Sequence, residues 1–172
     1  DVAKGQKIRV MPLKACELTF KRLGYIPVSI PYAEAYSAIE TGIADGQMGG
    51  PPFQVHEFRD VQGAWIQYND FVETHWFKLN RKLFDALTKE DQNILIEAAE
   101  RQGEKQWQVA ESQDEEYRQK MAARGLKIIM LPDAELEKIA AAIRADVWPE
   151  LDTVVGKAIM DIARKNVGVP VK

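Results

Sequence analysis

The sequence predicts an α/β fold organised around a parallel-rich sheet, with one unusually long helix attached. Three observations carry this. From Lys7 to Met48, strand-like and helix-like segments alternate as strand, helix, strand, helix, strand, the order that produces parallel strands joined by crossover helices. Glycines stand where the helices should stop, at Gly24, Gly42 and Gly125. From about Lys89 to Arg124, the residues Leu95, Ala99, Gly103, Trp107, Ala110, Tyr117 and Met121 recur at spacings that place them near one helical stripe.

Each element has its own signal. Lys7 to Val10 alternates polar and apolar and reads as a strand, followed by a helix from Ala15 to Leu23. Ile26 to Ile30 is a second strand, and Pro27 confines it to an edge. Tyr32 to Thr41 is a helix, and Ala44 to Met48 a third short strand leading into Gly49-Gly50-Pro51-Pro52. Phe53 to Val61 is a polar, irregular or helical link. Ala64 to Tyr68 and the aromatic-rich Glu73 to Leu79 read as further strands. Thr88 to Asp91 is a near capping box, with Asp in place of the usual Glu or Gln, and opens the long helix. A straight helix of that length would run ~50 Å, which calls for a crossing between lobes, a kink at Gly103 or a solvated arm. Leu126 to Leu131 is a strand, Asp133 stands where it can cap a helix from Ala134 to Ala145, and Pro149 fits the first turn of a last helix reaching about Arg164.

Composition narrows the function classes. The chain has 172 residues, 46% hydrophobic and 28% charged, with a net charge of -3. It has no dense Lys/Arg block of the kind a nucleic-acid surface needs. No apolar run approaches the ~20 residues of a membrane span. The single cysteine, Cys16, cannot form an internal disulfide. The chain begins at Asp1 without Met or an apolar signal segment, so it reads as processed or truncated.

Six segments in order carry a family resemblance. They are Lys4-Gly5-Gln6-Lys7-Ile8-Arg9-Val10, Phe20 to Val28, Tyr32 to Gly42, Asp45-Gly46-Gln47, Phe58-Arg59-Asp60-Val61 and Asn80 to Glu97. Together they resemble the C-terminal part of the DctP family, the extracytoplasmic solute-binding proteins of TRAP transporters. The resemblance implies a periplasmic-binding-protein-like lobe of class II type, with a long helix bridging two lobes. It implies residues 1–79 as a ligand-binding lobe, 80–125 as the helix bracing the other lobe, and 126–172 as a strand and helices packing back on the ligand-binding lobe. Members of that family carry part of a first lobe upstream, so the chain is expected to be a C-terminal part. One departure stands out: where the family continues Asp-Gly-Gln with Glu-Asn-Pro, this chain has Met48-Gly49-Gly50-Pro51, and the Asn position falls on Gly49.

Arg9 is the first candidate for ligand chemistry. On a strand whose Ile8 and Val10 share one side, Arg9 faces the other, near the carboxyl end where open α/β sheets place ligands. Its planar guanidinium matches a carboxylate with two parallel donors. A surface or interlobe salt bridge is the competing role, and the resemblance favours the carboxylate clamp. Tyr32 matches an aromatic lining the family's cleft, against a role in anchoring the helix start. Gln47, Met48, Gly49 and Gly50 follow a strand end, where glycine lets backbone N–H groups approach a ligand. Met11, Pro12 and Asn69 are added as strand-end neighbours. Trp65, Trp76 and Phe77 read as core, one of them a possible cleft wall.

Catalysis has little in its favour. His56-Glu57 lacks the second histidine of a zinc helix, and Cys16 has no orienting base. Glu73 and His75 could share one strand face as metal ligands, with a third still needed. The resemblance implies capture of a small organic acid in the periplasm and delivery to TRAP permease subunits, with no cofactor and no turnover. The alternatives are a ligand-sensing module, a homodimer formed through the long helix, and a metal-dependent enzyme.

Overall fold

The computed structural model describes residues 4–70 and 73–167. Three parallel strands form the first sheet: β1 (Lys7–Val10), β2 (Ile26–Ser29) and β3 (Gly46–Gln47), in the order β2-β1-β3. Helices α1 (Lys14–Arg22) and α2 (Tyr32–Glu40) connect them. Pro27 lies on the edge strand, opposite Ile8, as a residue without an N–H requires. The third strand is shorter than its apolar run suggested. Asp45 N–H bonds to the Lys7 carbonyl and Met48 N–H to the Arg9 carbonyl, so the segment follows β1 while only Gly46 and Gln47 complete the ladder.

Helix α1 ends by a mechanism readable from Gly24. That residue sits at φ +96°, and Tyr25 N–H bonds back to the Phe20 carbonyl at 3.1 Å. The turn brings the Phe20 and Tyr25 rings to 5.7 Å, in a core shared with Ile8, Val10 and Met48. On the α2 side, Ala35, Ile39, Ala44 and Phe58 form a second cluster.

The next strands make a separate sheet. β4 (Ala64–Gln67) pairs in parallel with β5 (Lys127–Met130). Between them lie α3 (Pro52–Glu57), which resolves the Phe53 to Val61 link as partly helical, α4 (Arg81–Asp85) and α5 (Lys89–Ala123). The sequence did not reveal α4. It is capped by the Asn80 side chain, which accepts from the backbone N–H groups of Lys82 and Leu83.

Residues 73–79 do not form the expected strand. Aromatic content alone does not make a strand, because a strand needs a partner for its backbone groups. No described segment supplies one, and Trp76 and Phe77 are 75% and 72% exposed.

The long helix α5 is continuous through Gly103 and spans 35 residues, ~52 Å at 1.5 Å per residue. Thr88 Oγ1 accepts from Asp91 N–H and donates to the Asp91 carboxylate, a capping box closed through side chains. Gln92 is buried and donates to the carbonyls of Phe84 and Leu87, which ties α4 to α5. The apolar stripe finds partners only near its end. Met121 is fully buried with Val55 and Leu126, and the Tyr117 ring lies 5.3 Å from that of His56 in a tilted contact, whereas Trp107 is 83% exposed.

Helix α6 (Asp133–Asp146) begins one residue earlier than expected, with Pro132 at the cap position and Asp133 inside the first turn. Asp133 therefore acts on the helix dipole rather than as a side-chain cap. The last helix is broken into α7 (Trp148–Leu151), a π-helical turn (Asp152–Gly156) and α8 (Lys157–Lys165). Gly156, at φ +100°, makes the break. Val147, Leu151 and Met160 from these helices pack against Ala15 and Leu18 of α1.

Candidate functional site

The site grows from the pleat of β1. Ile8 and Val10 are buried on the α1 side, so Arg9 points away from that core. Only 2% of Arg9 is exposed. Its Nε donates to the Ile30 carbonyl at 2.8 Å, just past the end of β2, which fixes the plane of the guanidinium. Burial pulls the Arg9 pKa down, with the neighbouring Tyr32 and Cys16 opposing that shift. No carboxylate pairs with Arg9 among the described residues, and its two terminal nitrogens make no hydrogen bond to them. A buried cation without a counter-ion is costly, and so it points to a negatively charged occupant.

Tyr32 opens α2 directly beside it. The guanidinium carbon lies 5.7 Å from the Tyr32 ring centroid, and Phe58 braces the same ring edge-on at 5.8 Å. The strand order explains the meeting. α1 leads from β1 to β2 on one side, and α2 returns the chain to β3 on the other, so β1 lies where the connections diverge. Such switch points open a crevice at the carboxyl ends of the strands.

A pocket of about 190 Å³ occupies this edge. It gathers Arg9, Met11, Tyr32, Met48 and Gly49, five of the sequence candidates, together with Gln54 and Glu73. Gly49 leaves space: a Cβ there would rest 3.5 Å from both Trp65 Nε1 and Val55. The Trp65 indole N–H has no acceptor among the described residues, so a donor stands beside the position where the family has Asn. At Gly50 a Cβ would collide with the Gln54 side chain, so that glycine is what lets Gln54 reach the site.

A larger hollow, about 1110 Å³, adjoins it and shares Met48, Gly49 and Glu73. Gln47, Gly50 and Asn69 face this space. Gln47 stands in register beside Arg9, and its buried Oε1 has no partner among the described residues, as is also true of Gln67 Oε1. Gln67 Nε2 donates to Asn69 Oδ1 at 3.1 Å, and Asn69 holds a φ of +51°. The Tyr25 and Tyr68 hydroxyls meet at 2.9 Å on the same hollow, and burial followed by that hydrogen bond pushes the Tyr68 phenol well above its usual range. Pro12 is exposed and borders neither space.

His75 and Glu73 both border the larger hollow, but among the described residues no three His, Cys, Asp or Glu side chains gather to hold a metal. Sequence reasoning missed Gln54, Gln67 and the tyrosine pair. Gln54 was hidden because its six-residue helix is too short to show a period. The tyrosine pair joins residues 43 apart and has no local signature.

An α/β domain with a buried arginine, unpaired among the described residues, at a strand-edge crevice has the features of a small-molecule binding domain. The chain is a member of the bacterial extracellular solute-binding proteins, family 7 (DctP), whose family model matches residues 1–151. It is 25% identical over 159 residues to the sialic acid-binding periplasmic protein SiaP of Vibrio cholerae, covering 91% of this chain and 48% of that protein. Among solved structures it matches the periplasmic ectoine-binding protein of Halomonas elongata with a TM-score of 0.79 and 22% identity, over 93% of this chain and 54% of that one. It also matches a TRAP periplasmic solute-binding protein of Haemophilus influenzae with bound L-gulonate, at a TM-score of 0.77 and 25% identity, over 96% and 55%. The chain thus spans about half the length of these relatives. Among the described residues no helix is long and apolar enough to cross a membrane.

Proposed function

We propose that this chain forms part of a periplasmic solute-binding subunit of a TRAP transporter, and that it holds the carboxylate of a small organic acid on Arg9. The single observation behind this is the buried guanidinium, oriented by the Ile30 carbonyl and without an acidic partner among the described residues, at the edge of a pocket. A ligand carboxylate would accept from the two terminal nitrogens, and the charge-assisted pair would be strong because water is largely excluded. Tyr32 and Met11 would wall the carboxylate, and the larger hollow would take the rest of the ligand. Relatives named for sialic acid and crystallised with L-gulonate fit an acid as the ligand class.

The division into a ligand-binding lobe over 1–79, a bracing helix over 80–125 and a returning segment over 126–172 belongs to the same proposal. Cleft closure around the ligand, by hinge motion between lobes, would then present the loaded form to membrane permease subunits. Binding would occur without chemical conversion.

The test is thermal unfolding of the protein with a panel of small organic acids, beside Arg9→Ala. An acid that raises Tm in the native protein and not in the variant supports carboxylate capture. A shift of equal size in both removes Arg9 from the site. One observation favours a second reading, a homodimer through α5: Trp107 is 83% exposed, and Ile94 and Ile96 are 56% and 45% exposed. Light scattering that found a dimer lost on Trp107→Glu would support it.

A further inference from the structure

Trp65 brings a second donor to the edge of the site, on a different sheet from Arg9. It stands on β4 in register with Ile128 of β5, and its ring packs against the cluster of Val55, Met121 and Leu126, which holds the indole from the protein side. Its Nε1 lies 3.5 Å from the place a Cβ on Gly49 would occupy. Gly49 borders both the pocket of Arg9 and the larger hollow, and Trp65 borders the hollow. The indole nitrogen therefore stands at the boundary between the two spaces, and among the described residues its N–H has no acceptor.

Resting on the reading of Arg9 as the carboxylate seat, we propose that Trp65 is a specificity-determining, ligand-contacting residue: its Nε1–H donates to an oxygen that the acid carries beyond its carboxylate. An indole N–H can only donate, so it discriminates between an acceptor and an apolar group of the same shape. A donor facing solvent is satisfied by water. An acid that fills the boundary with a methylene or methyl group displaces that water and leaves the donor unpaired, whereas an oxygen at the same place restores the bond. The glycine at 49 keeps the approach open, because any side chain there would rest against Nε1. Gly49 does not hold a positive φ, and an added Cβ would make only ordinary contacts with Trp65 and Val55. Gly49→Ala therefore shields the indole nitrogen without straining the backbone.

Matched pairs of one shape, differing in a single oxygen, test this. Methoxyacetate is compared with butanoate, and 4-oxopentanoate with 4-methylpentanoate, by calorimetry and by NMR of the indole N–H signals, in the protein, Trp65→Phe, Gly49→Ala and Arg9→Ala. Trp65→Phe identifies the Trp65 signal among the four tryptophans. The oxygen-bearing acid of at least one pair should bind about tenfold more tightly than its partner, the effect of one donor left unpaired. The same acid should move the Trp65 indole proton downfield, and its partner should not. The preference should vanish in Trp65→Phe and shrink in Gly49→Ala. A preference unchanged in Trp65→Phe, a Trp65 signal unmoved by a bound oxygen-bearing acid, no preference in either pair, or no binding of either oxygen-bearing acid overturns the inference. Arg9→Ala separates the two readings. Acids lost in Arg9→Ala, with neither the preference nor the Trp65 shift in the native protein, leave carboxylate capture standing and sink only the present inference. Acids retained in Arg9→Ala sink both.

Discussion

The Arg9 guanidinium and the Tyr32 ring lie 5.7 Å apart, although one is the penultimate residue of a strand and the other begins a helix after the next strand. The contact exists because β1 and β2 are parallel neighbours, so the end of β1 and the turn after β2 meet on one edge. It makes Arg9→Lys a sharper test than removal of charge. Lysine keeps the charge but lacks both the planar pair of donors and an Nε to hold the Ile30 carbonyl. Losing one charge-assisted hydrogen bond is worth about 1.5–3 kcal/mol. We expect acid affinity to fall roughly 10- to 100-fold, read by calorimetry.

Helix α5 should show opposite sensitivities along one apolar stripe. Met121 is fully buried between Val55 and Leu126, whereas Trp107 is 83% exposed. Met121→Ala should destabilise by about 2–5 kcal/mol in urea unfolding. Trp107→Ala should stay within about 0.5 kcal/mol, as exposed substitutions do. Equal effects would mean that the middle of the helix is packed in solution.

The end of that helix rests on a backbone conformation. Gly125 has a φ of +86°, and Leu126 N–H bonds to the Met121 carbonyl at 3.1 Å, which seats the Leu126 side chain on Met121. A Cβ on Gly125 would touch nothing within 4 Å, so Gly125→Ala isolates the backbone cost. We expect a loss of about 1–2 kcal/mol by chemical denaturation. No loss would show that the turn relaxes to another conformation.

Cys16 gives a pH-dependent prediction. Burial, and after it Asp70, raises the thiol pKa, with Arg9 opposing. The folded state thus holds the thiol proton more firmly than the unfolded state. Stability should be unaffected by this group below the unfolded thiol's pKa of ~8.5, and should fall as pH rises through that value toward the raised one. Iodoacetamide at pH 8 should label the native protein more slowly than the urea-unfolded chain. Equal rates would place Cys16 in open solvent.

The local elements were legible in the sequence because their causes are local. Strand alternation at Lys7 to Val10, the glycine stops at Gly24 and Gly125, the Thr88 cap and the edge position of Pro27 follow from steric and hydrogen-bonding rules acting over a few residues. Arg9, Tyr32, Met48 and Gly49 could be chosen as neighbours for a related reason: parallel strands bring all their carboxyl ends to one edge. What needed partners distant in the chain was decided only by the tertiary structure. Residues 73–79 are rich in aromatics like a strand but find no pairing strand among the described residues, so they remain irregular, and Glu73 borders the pocket of Arg9 instead. β4 waited for β5, more than fifty residues further along, to become a sheet of its own. The stripe on α5 announced an apolar face, yet which part of it is covered depends on where α3 and β5 come to rest, and no spacing within the helix encodes that.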